Sequence, residues 1–366
     1  IAAAGTEMQA VVEQIEPRIR ADALANVRLD AVLGFFETRY SRGAKSRART
    51  YNLRLAASRL DGAVVLPGET FDFNLIVGPR DEANGYRVAP VIAEGELVDG
   101  IGGGTCQVSG TLHGAAFFSG LEIVERRPHS RPSSYIKLGM DAAVAYPSIN
   151  FRVRNPFDVP VVLHETVKGG VVRAEVLGPK RTHTVSFFRR VDAVIPFEVV
   201  ERDTDSLPEG KRILSQRGVP GFKVTVFRIV RKGAYAVRTK VRDHYPPTTQ
   251  IIKVGTGPKD KKSRLRDDRH LEYTADEYLV MTQGPNIGSR RGQPGMVESR
   301  VPGKTGRRGW QKKEGMPVYE PDEEDEDEAE DAGEGPKKGP KATAGPSVKK
   351  GSDRGGATKP SKPSEP

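Results

Sequence analysis

The run Gly100-Ile101-Gly102-Gly103-Gly104, followed by Thr105 to Leu121, constrains this chain more than any other stretch. Successive glycines permit a sharp backbone turn that side chains forbid. The residues beyond are mostly Ala, Val, Leu, Phe, small polar residues and His. A helix of that composition has no solvent face, so it must be buried with other elements wrapped round it. Gly120 suits its stop and Thr105 its cap. The only cysteine of the chain, Cys106, stands at its start.

The 366 residues would allow two ordinary domains, but the apolar fraction is 36%, with 40 glycines and 27 prolines, so part of the chain is not expected to fold. The net charge of +10 arises from 58 basic and 48 acidic residues, which fits a solvated surface as well as an anionic partner. No helix-turn-helix, zinc-finger or RNP-type pattern points to nucleic acid. One cysteine excludes an internal disulfide framework and leaves the compartment open. No apolar run approaches the roughly 18 residues that span a bilayer. The chain opens on Ile1, as a processed product would, so a signal peptide or anchor is expected to be missing from it.

Helical spacing marks Gln9 to Thr38 as two short helices broken at Pro17, and Thr50 to Leu60 as a third with Leu53, Ala56, Ala57 and Leu60 on one face. Strands are expected at Ala63 to Leu66, Arg87 to Ile92, Leu121 to Val124, Asn150 to Val153, Val159 to His164 and Val171 to Leu177. This first unit reads as α+β. From Asp192 to Gly257, runs such as Phe222 to Val230 alternate β-branched and polar residues between glycines, which describes a small antiparallel all-β module. Residues 258–282 read as a charged linker with an ordered stretch from His270 possible in principle. Residues 283–366, with an acidic block at Glu320 to Asp331 and a basic tail, read as disordered and serving as a soluble spacer.

A thiol just past three glycines, at a helix start, sits near unsatisfied N–H groups and the positive end of the helix dipole, which favours thiolate. The amides of Gly103 and Gly104 could receive an oxyanion. His129 is the candidate base. His113 competes, but seven residues along the helix is about 10.5 Å, too far for direct proton transfer. Asp141 fits an orienter of His129 or a turn-capping carboxylate, and Arg126 and Tyr135 are candidate substrate contacts. No histidine shows metal-ligand spacing, so neither a metal nor a cofactor is expected. The same residues also fit a buried small hydrophobe and a hydrogen-bonded loop histidine, and spacing alone does not choose.

The segments PGETFDFN (Pro67 to Asn74), VGPRDEANGY (Val77 to Tyr86), GGGTCQVSGTL (Gly102 to Leu112), GLEIVERRPHS (Gly120 to Ser130) and GMDAAVA occur in an order that resembles the VanW-like domain, over residues 29–177. Residues 1–28 would be the remnant of a preceding region. Residues 192–257 resemble the G-five domain through Gly210, Gly218, Gly221 and the closing Pro246 to Thr256. The resemblance implies an extracytoplasmic protein of the bacterial envelope, linked to glycopeptide resistance and peptidoglycan, with a wall- or glycan-binding module. It puts the family cysteine on Cys106 and the histidine of its ER-x-x-HS motif on His129, and it implies cysteine acyl transfer on stem peptides of the L,D-transpeptidase type. A wall-binding or resistance accessory protein without catalysis is the alternative. The chain departs from the family at His113, Thr105 and Asn150, where Tyr, Ile and Asp are commoner.

Overall fold

The computed structural model describes residue 19 and residues 27–93, 96–258, 266–268, 271–288, 294–301, 309–312 and 316–318. Its first half runs β1 (Ala31–Arg39), α1 (Arg47–Leu60), β2 (Ala63–Val65), β3 (Thr70–Asp72), α2 (Phe73–Val77), β4 (Val88–Ala93), β5 (Glu96–Ile101), α3 (Thr105–Ser119), β6 (Glu122–Glu125), β7 (Arg152–Arg154), β8 (Val161–Lys168) and β9 (Val171–Gly178). The second half is strand throughout: β10 (Thr184–Ile195), β11 (Val199–Pro208), β12 (Arg212–Gln216), β13 (Gly221–Lys232), β14 (Tyr235–Tyr245), β15 (Gln250–Gly257), β16 (Arg266–Asp268), β17 (Leu271–Thr274), β18 (Tyr278–Gln283), β19 (Val297–Val301), β20 (Gly309–Lys312) and β21 (Met316–Val318). The class is α+β with strands in the majority.

The glycine run and its helix organise the first half. Fourteen of the fifteen residues of α3 are buried, and the helix lies across β1 and β9 of an antiparallel sheet ordered β1-β9-β8-β2. Close approach depends on Gly114, where a Cβ would fall 2.3 Å from the Phe36 ring of β1. On α1, the buried face holds Leu53, Ala56, Ala57 and Leu60, as the spacing predicts, and adds Asn52. Smaller sheets, β3-β7-β6 and the β4-β5 pair, close the first half.

The second half holds a five-stranded antiparallel sheet, β14-β13-β10-β18-β19, and a three-stranded sheet, β11-β15-β12. Its apolar residues Val185, Phe187, Phe222 and Tyr245 join one core cluster with Leu112, Phe117 and Phe118 of α3. That sheet and the segment leading into it also finish the helix. Arg228 of β13 donates to the Phe117 carbonyl at 2.6 Å, Arg181 to Phe118 at 2.9 Å and His183 Nε2 to Ser119 at 2.6 Å. Carbonyls left over at a helix C-terminus are thereby satisfied, two of them by cations that suit the negative end of the dipole.

Three expectations are corrected. The second N-terminal helix is absent, because Ala31–Arg39 forms β1 opposite β9. Leu33, Phe36 and Thr38 are buried there, and pairing with a buried sheet outweighs an ambiguous apolar period. The other expected N-terminal helix lies outside the described residues. The second module is not wholly antiparallel, since β11 and β15 run parallel from Val199↔Gln250. Finally, inside the segment expected to be disordered, Val297–Val301 forms edge strand β19 against β18, Gly309–Lys312 forms β20 against β17 and Met316–Val318 forms β21 against β16. The pairing is a backbone ladder that a polar segment can also make, and Val297 and Val301 stay about half exposed.

Two stability tests follow from the packing. Gly114→Ala overfills the α3–β1 contact and should destabilise by about 1–3 kcal/mol in denaturant unfolding. Glu165 of β8 is 3% exposed, and neither carboxyl oxygen has a partner among the described residues. Burial, then the nearby Asp61 carboxylate, push its carboxyl well above the usual range. A raised acid keeps its proton in the fold after the unfolded chain has lost it, so stability falls as pH rises above about 4.3. Glu165→Gln should therefore melt about 2–4 °C higher than the wild type at pH 8, and the gap should close towards pH 4.

Candidate active site

Cys106 is the residue of α3 that escapes burial. The turn that presents it is held from two sides. Asn52 of α1 donates to the carbonyls of Arg87 (2.9 Å) and Gly103 (3.0 Å), and a Cβ on Gly103 would fall 2.5 Å from the Pro90 carbonyl oxygen. Gly104 caps the helix at φ 108°, a conformation that L side chains rarely adopt. Thr105 closes the turn through its hydroxyl and its N–H, both donated to the Gly102 carbonyl.

The polar residues along one stripe of α3 hold an extended segment at alternate positions. His113 Nδ1 bonds the Met140 carbonyl at 2.8 Å and Ser109 Oγ donates to the Ala142 carbonyl at 2.6 Å. Cys106 Sγ lies 3.4 Å from the carbonyl oxygen of Val144 and 3.5 Å from its N–H, which donates to sulfur. Asp141 is fixed between these anchors. Its Oδ2 accepts from both the N–H and the Nδ1 of His129, each at 2.8 Å. With Nδ1 committed to Asp141, Nε2 is the ring nitrogen left for Cys106, whose thiol raises the imidazole pKa. Tyr135 Oη stands 3.4 Å from the same Nε2. The structure thus brings Cys106, His129, Asp141 and Tyr135 together, at the glycine turn that contains Gly103 and Gly104.

Burial works against charge on all three members of the chain, and their partners overcome it. The Asp141 carboxyl is held below the usual carboxylate range by Arg126 and His129. The His129 hydrogen bonds to Asp141 and Cys106 carry its pKa up to about 10. The Cys106 thiol is brought below its ordinary value by the His129 hydrogen bond and charge, then by the Val144 N–H and the Arg80 guanidinium. The favoured state is a thiolate beside an imidazolium, the ionic form of a nucleophilic cysteine site.

Arg126, expected as a substrate contact, is turned inwards. Its side chain is 8% exposed and fully engaged, with Nε on the Asp141 carbonyl at 2.6 Å, Nη2 on Asp141 Oδ1 at 2.7 Å and Nη1 on Asp243 Oδ2 at 2.5 Å. A guanidinium that deep has to be paired on every face, so its fork serves the carboxylates instead of the solvent. His113 is buried between the ring edges of Phe117 and Phe151, and burial, then Arg126, lower its pKa to about 3. It stays neutral. Sequence reasoning missed Arg80, Asp243 and Tyr245. Arg80 packs against Gly102, and its Nε and Nη2 have no partner among the described residues. Among those residues no three His, Cys, Asp or Glu gather as metal ligands, and no helix is long and apolar enough to cross a membrane.

As Cys106 is the only thiol, alkylation reports on it alone. The rate against pH should titrate below the ordinary thiol value of about 8.5, and His129→Ala should raise that midpoint and slow alkylation at pH 7 about tenfold. A wild-type midpoint at or above the ordinary value would exclude the ion pair.

The sequence matches the family described as VanW like protein over residues 48–177 and the G5 domain over residues 189–257. It is 40% identical over 156 residues to an uncharacterized protein, YoaR, of Bacillus subtilis, a stretch that covers 43% of this chain and 50% of the relative. It is 28% identical over 178 residues to the vancomycin B-type resistance protein VanW of Enterococcus faecalis, covering 45% of this chain and 65% of that protein. The chain therefore spans about half to two-thirds of the length of these relatives. Two solved structures, the G5 domain of an IgA1 protease and HP0197-G5, are each 24% identical, cover 22% and 20% of this chain and 99% and 97% of their own, and have TM-scores of 0.16 and 0.13. The G5 assignment rests on the family match and not on these scores. The chain carries a VanW-like domain over residues 48–177 followed by a G5 domain over residues 189–257.

Proposed function

We propose that this chain works outside the cytoplasm, in the bacterial cell envelope, as a cysteine acyltransferase on peptidoglycan stem peptides. The observation that carries this reading is Cys106, partly exposed on an otherwise buried helix and coupled in charge to a histidine that a buried carboxylate fixes. A cysteine kept only for packing would be buried with its neighbours and would have no use for a charged partner. The substrate class comes from the VanW-like match, whose Enterococcus relative is a vancomycin resistance protein, and the G5 domain is taken as the part that holds wall glycan.

In the proposed reaction, Cys106 Sγ attacks the carbonyl carbon next to a D-amino acid and forms a C–S bond. The oxyanion is assigned to amides at the glycine turn, with Gly103 and Gly104 as candidates. In support, the turn commits the N–H groups of Gly102, Thr105 and Gln107 to the Arg87, Gly102 and Gly104 carbonyls, and no such bond of Gly103 or Gly104 is found among the described residues. The leaving amine takes the proton of His129 as its C–N bond breaks, which leaves a thioester and a neutral imidazole. An acceptor amine then attacks, gives its proton to His129 and expels the thiolate, producing a cross-link. Water in its place gives a shortened peptide. Asp141 keeps Nε2 aimed at sulfur throughout.

A wall-binding protein without turnover is the second reading. It is favoured by a groove of about 580 Å³ on the G5 sheet, lined by Arg190, Asp192, Lys223, Arg242, Asp243 and His244 among others and not by Cys106. Incubation of the full chain with a stem tetrapeptide decides between them by mass spectrometry. Acyl transfer requires a thioester adduct on Cys106 that is lost in Cys106→Ala. Binding to purified wall that survives Cys106→Ala, with no adduct or turnover in the wild type, establishes the second reading.

A further inference from the structure

The carboxylate that orients His129 is itself held from the other domain. Asp141 Oδ1 accepts from Tyr245 Oη at 2.5 Å and from Arg126 Nη2 at 2.7 Å. The second fork of Arg126 rests on Asp243 Oδ2 at 2.5 Å. Tyr245 Oη also accepts from Gly139 N at 2.8 Å, which fixes the backbone two residues before Asp141. Asp243 and Tyr245 are alternate residues at the end of β14, so they share one face of the G5 sheet. Both are buried, at 5% and 0% exposure. The fit is close, because a Cβ on Gly139 would fall 2.5 Å from Val226 of β13.

We infer that the G5 domain is a working part of the thiol site, with Asp243 and Tyr245 acting as positioning residues that set the Cys106–His129 ion pair through Arg126 and Asp141. The inference rests on the catalytic reading of Cys106, but its test needs no substrate. Proton transfer from Cys106 to His129 creates a dipole whose positive end lies towards Asp141 and Arg126. Asp243 offsets the charge of Arg126. Without it the buried guanidinium draws harder on the Asp141 carboxylate and opposes the imidazolium. Tyr245 acts by geometry, since its hydroxyl holds both Oδ1 of Asp141 and the N–H of Gly139 in place.

The test is the pH profile of iodoacetamide alkylation of Cys106 in the full chain, read beside thermal melting. The charged and titratable groups that face the pair are Asp141 and Arg126 behind the imidazole, Tyr135 with Arg49 beside it, Arg80 at the glycine turn, and Asp243 and Tyr245 from the G5 sheet. Asp243→Asn keeps an acceptor for Arg126 and removes only the charge. It should raise the midpoint of alkylation by at least about half a unit. Tyr245→Phe keeps the buried ring and should move the midpoint the same way. A residue that served stability alone would lower the melting temperature and leave the midpoint in place. Should Asp243→Asn fail to fold, Tyr245→Phe decides. Profiles that superimpose on the wild type, or shift downwards, in a folded variant overturn the inference. Absence of an acyl adduct with unchanged sensitivity to these substitutions would sink the acyltransferase reading and leave the domain coupling standing.

Discussion

A helix buried on every side cannot leave a hydroxyl, an amide or an imidazole without a partner, because each such group costs about 1–3 kcal/mol when it is. Helix α3 carries Gln107, Ser109, Thr111 and His113 into the core. Their needs dictate what lies next to them. Gln107 Nε2 donates to Thr38 Oγ1 and the Arg39 carbonyl of β1, and its Oε1 accepts from Arg49 of α1. Ser109 and His113 take carbonyls from the segment that holds Asp141. The path of residues 140–144 along the helix is therefore fixed by the satisfaction of buried polar groups, and the placement of Asp141 beside His129 follows from that path.

The same helix explains why the two domains form one core. Its last carbonyls need donors, and Arg228 of the G5 sheet supplies one while Arg181 and His183 of the connecting segment supply others. At the other side of the sheet, the end of β14 supports Asp141 through Tyr245 and Arg126. A hairpin of the second domain thus touches both the C-terminal end of α3 and the carboxylate behind its N-terminal cysteine. Relative motion of the domains would strip donors from buried carbonyls and an acceptor from a buried guanidinium together, which makes a rigid junction the low-energy arrangement.

What the sequence made legible was local. The glycine turn, the extent of α3 and the buried face of α1 follow from composition and spacing that neighbours do not override. Residues 31–39 were not legible in the same way. Val32, Leu33, Phe35 and Phe36 satisfy a helical or a strand period equally well over so short a stretch, and the pairing with β9 that decides the matter lies 140 residues away. Arg126 misled for a related reason. An arginine beside a candidate base reads as a hand for substrate, and only the carboxylates of Asp141 and Asp243, one of them in another domain, turn it inwards. Tyr245 carried no signal at all, since its role depends on the register of β13 against β14 and on the packing of Val226 over Gly139.

The two histidines nearest the site show how far environment outweighs residue type. His113 and His129 are both buried, at 3% and 5% exposure, so desolvation presses each towards the neutral form. His113 meets a single backbone carbonyl and two phenylalanine rings; burial and the Arg126 charge outweigh the help of that carbonyl, and its pKa falls to about 3. His129 meets a carboxylate on one nitrogen and a thiol on the other, and its pKa climbs to about 10. A histidine with the first environment is an aromatic ring that also makes a hydrogen bond. A histidine with the second environment holds its proton through the neutral range. The difference is written in what each ring touches, and it makes His129, not His113, the ring that carries charge beside Cys106.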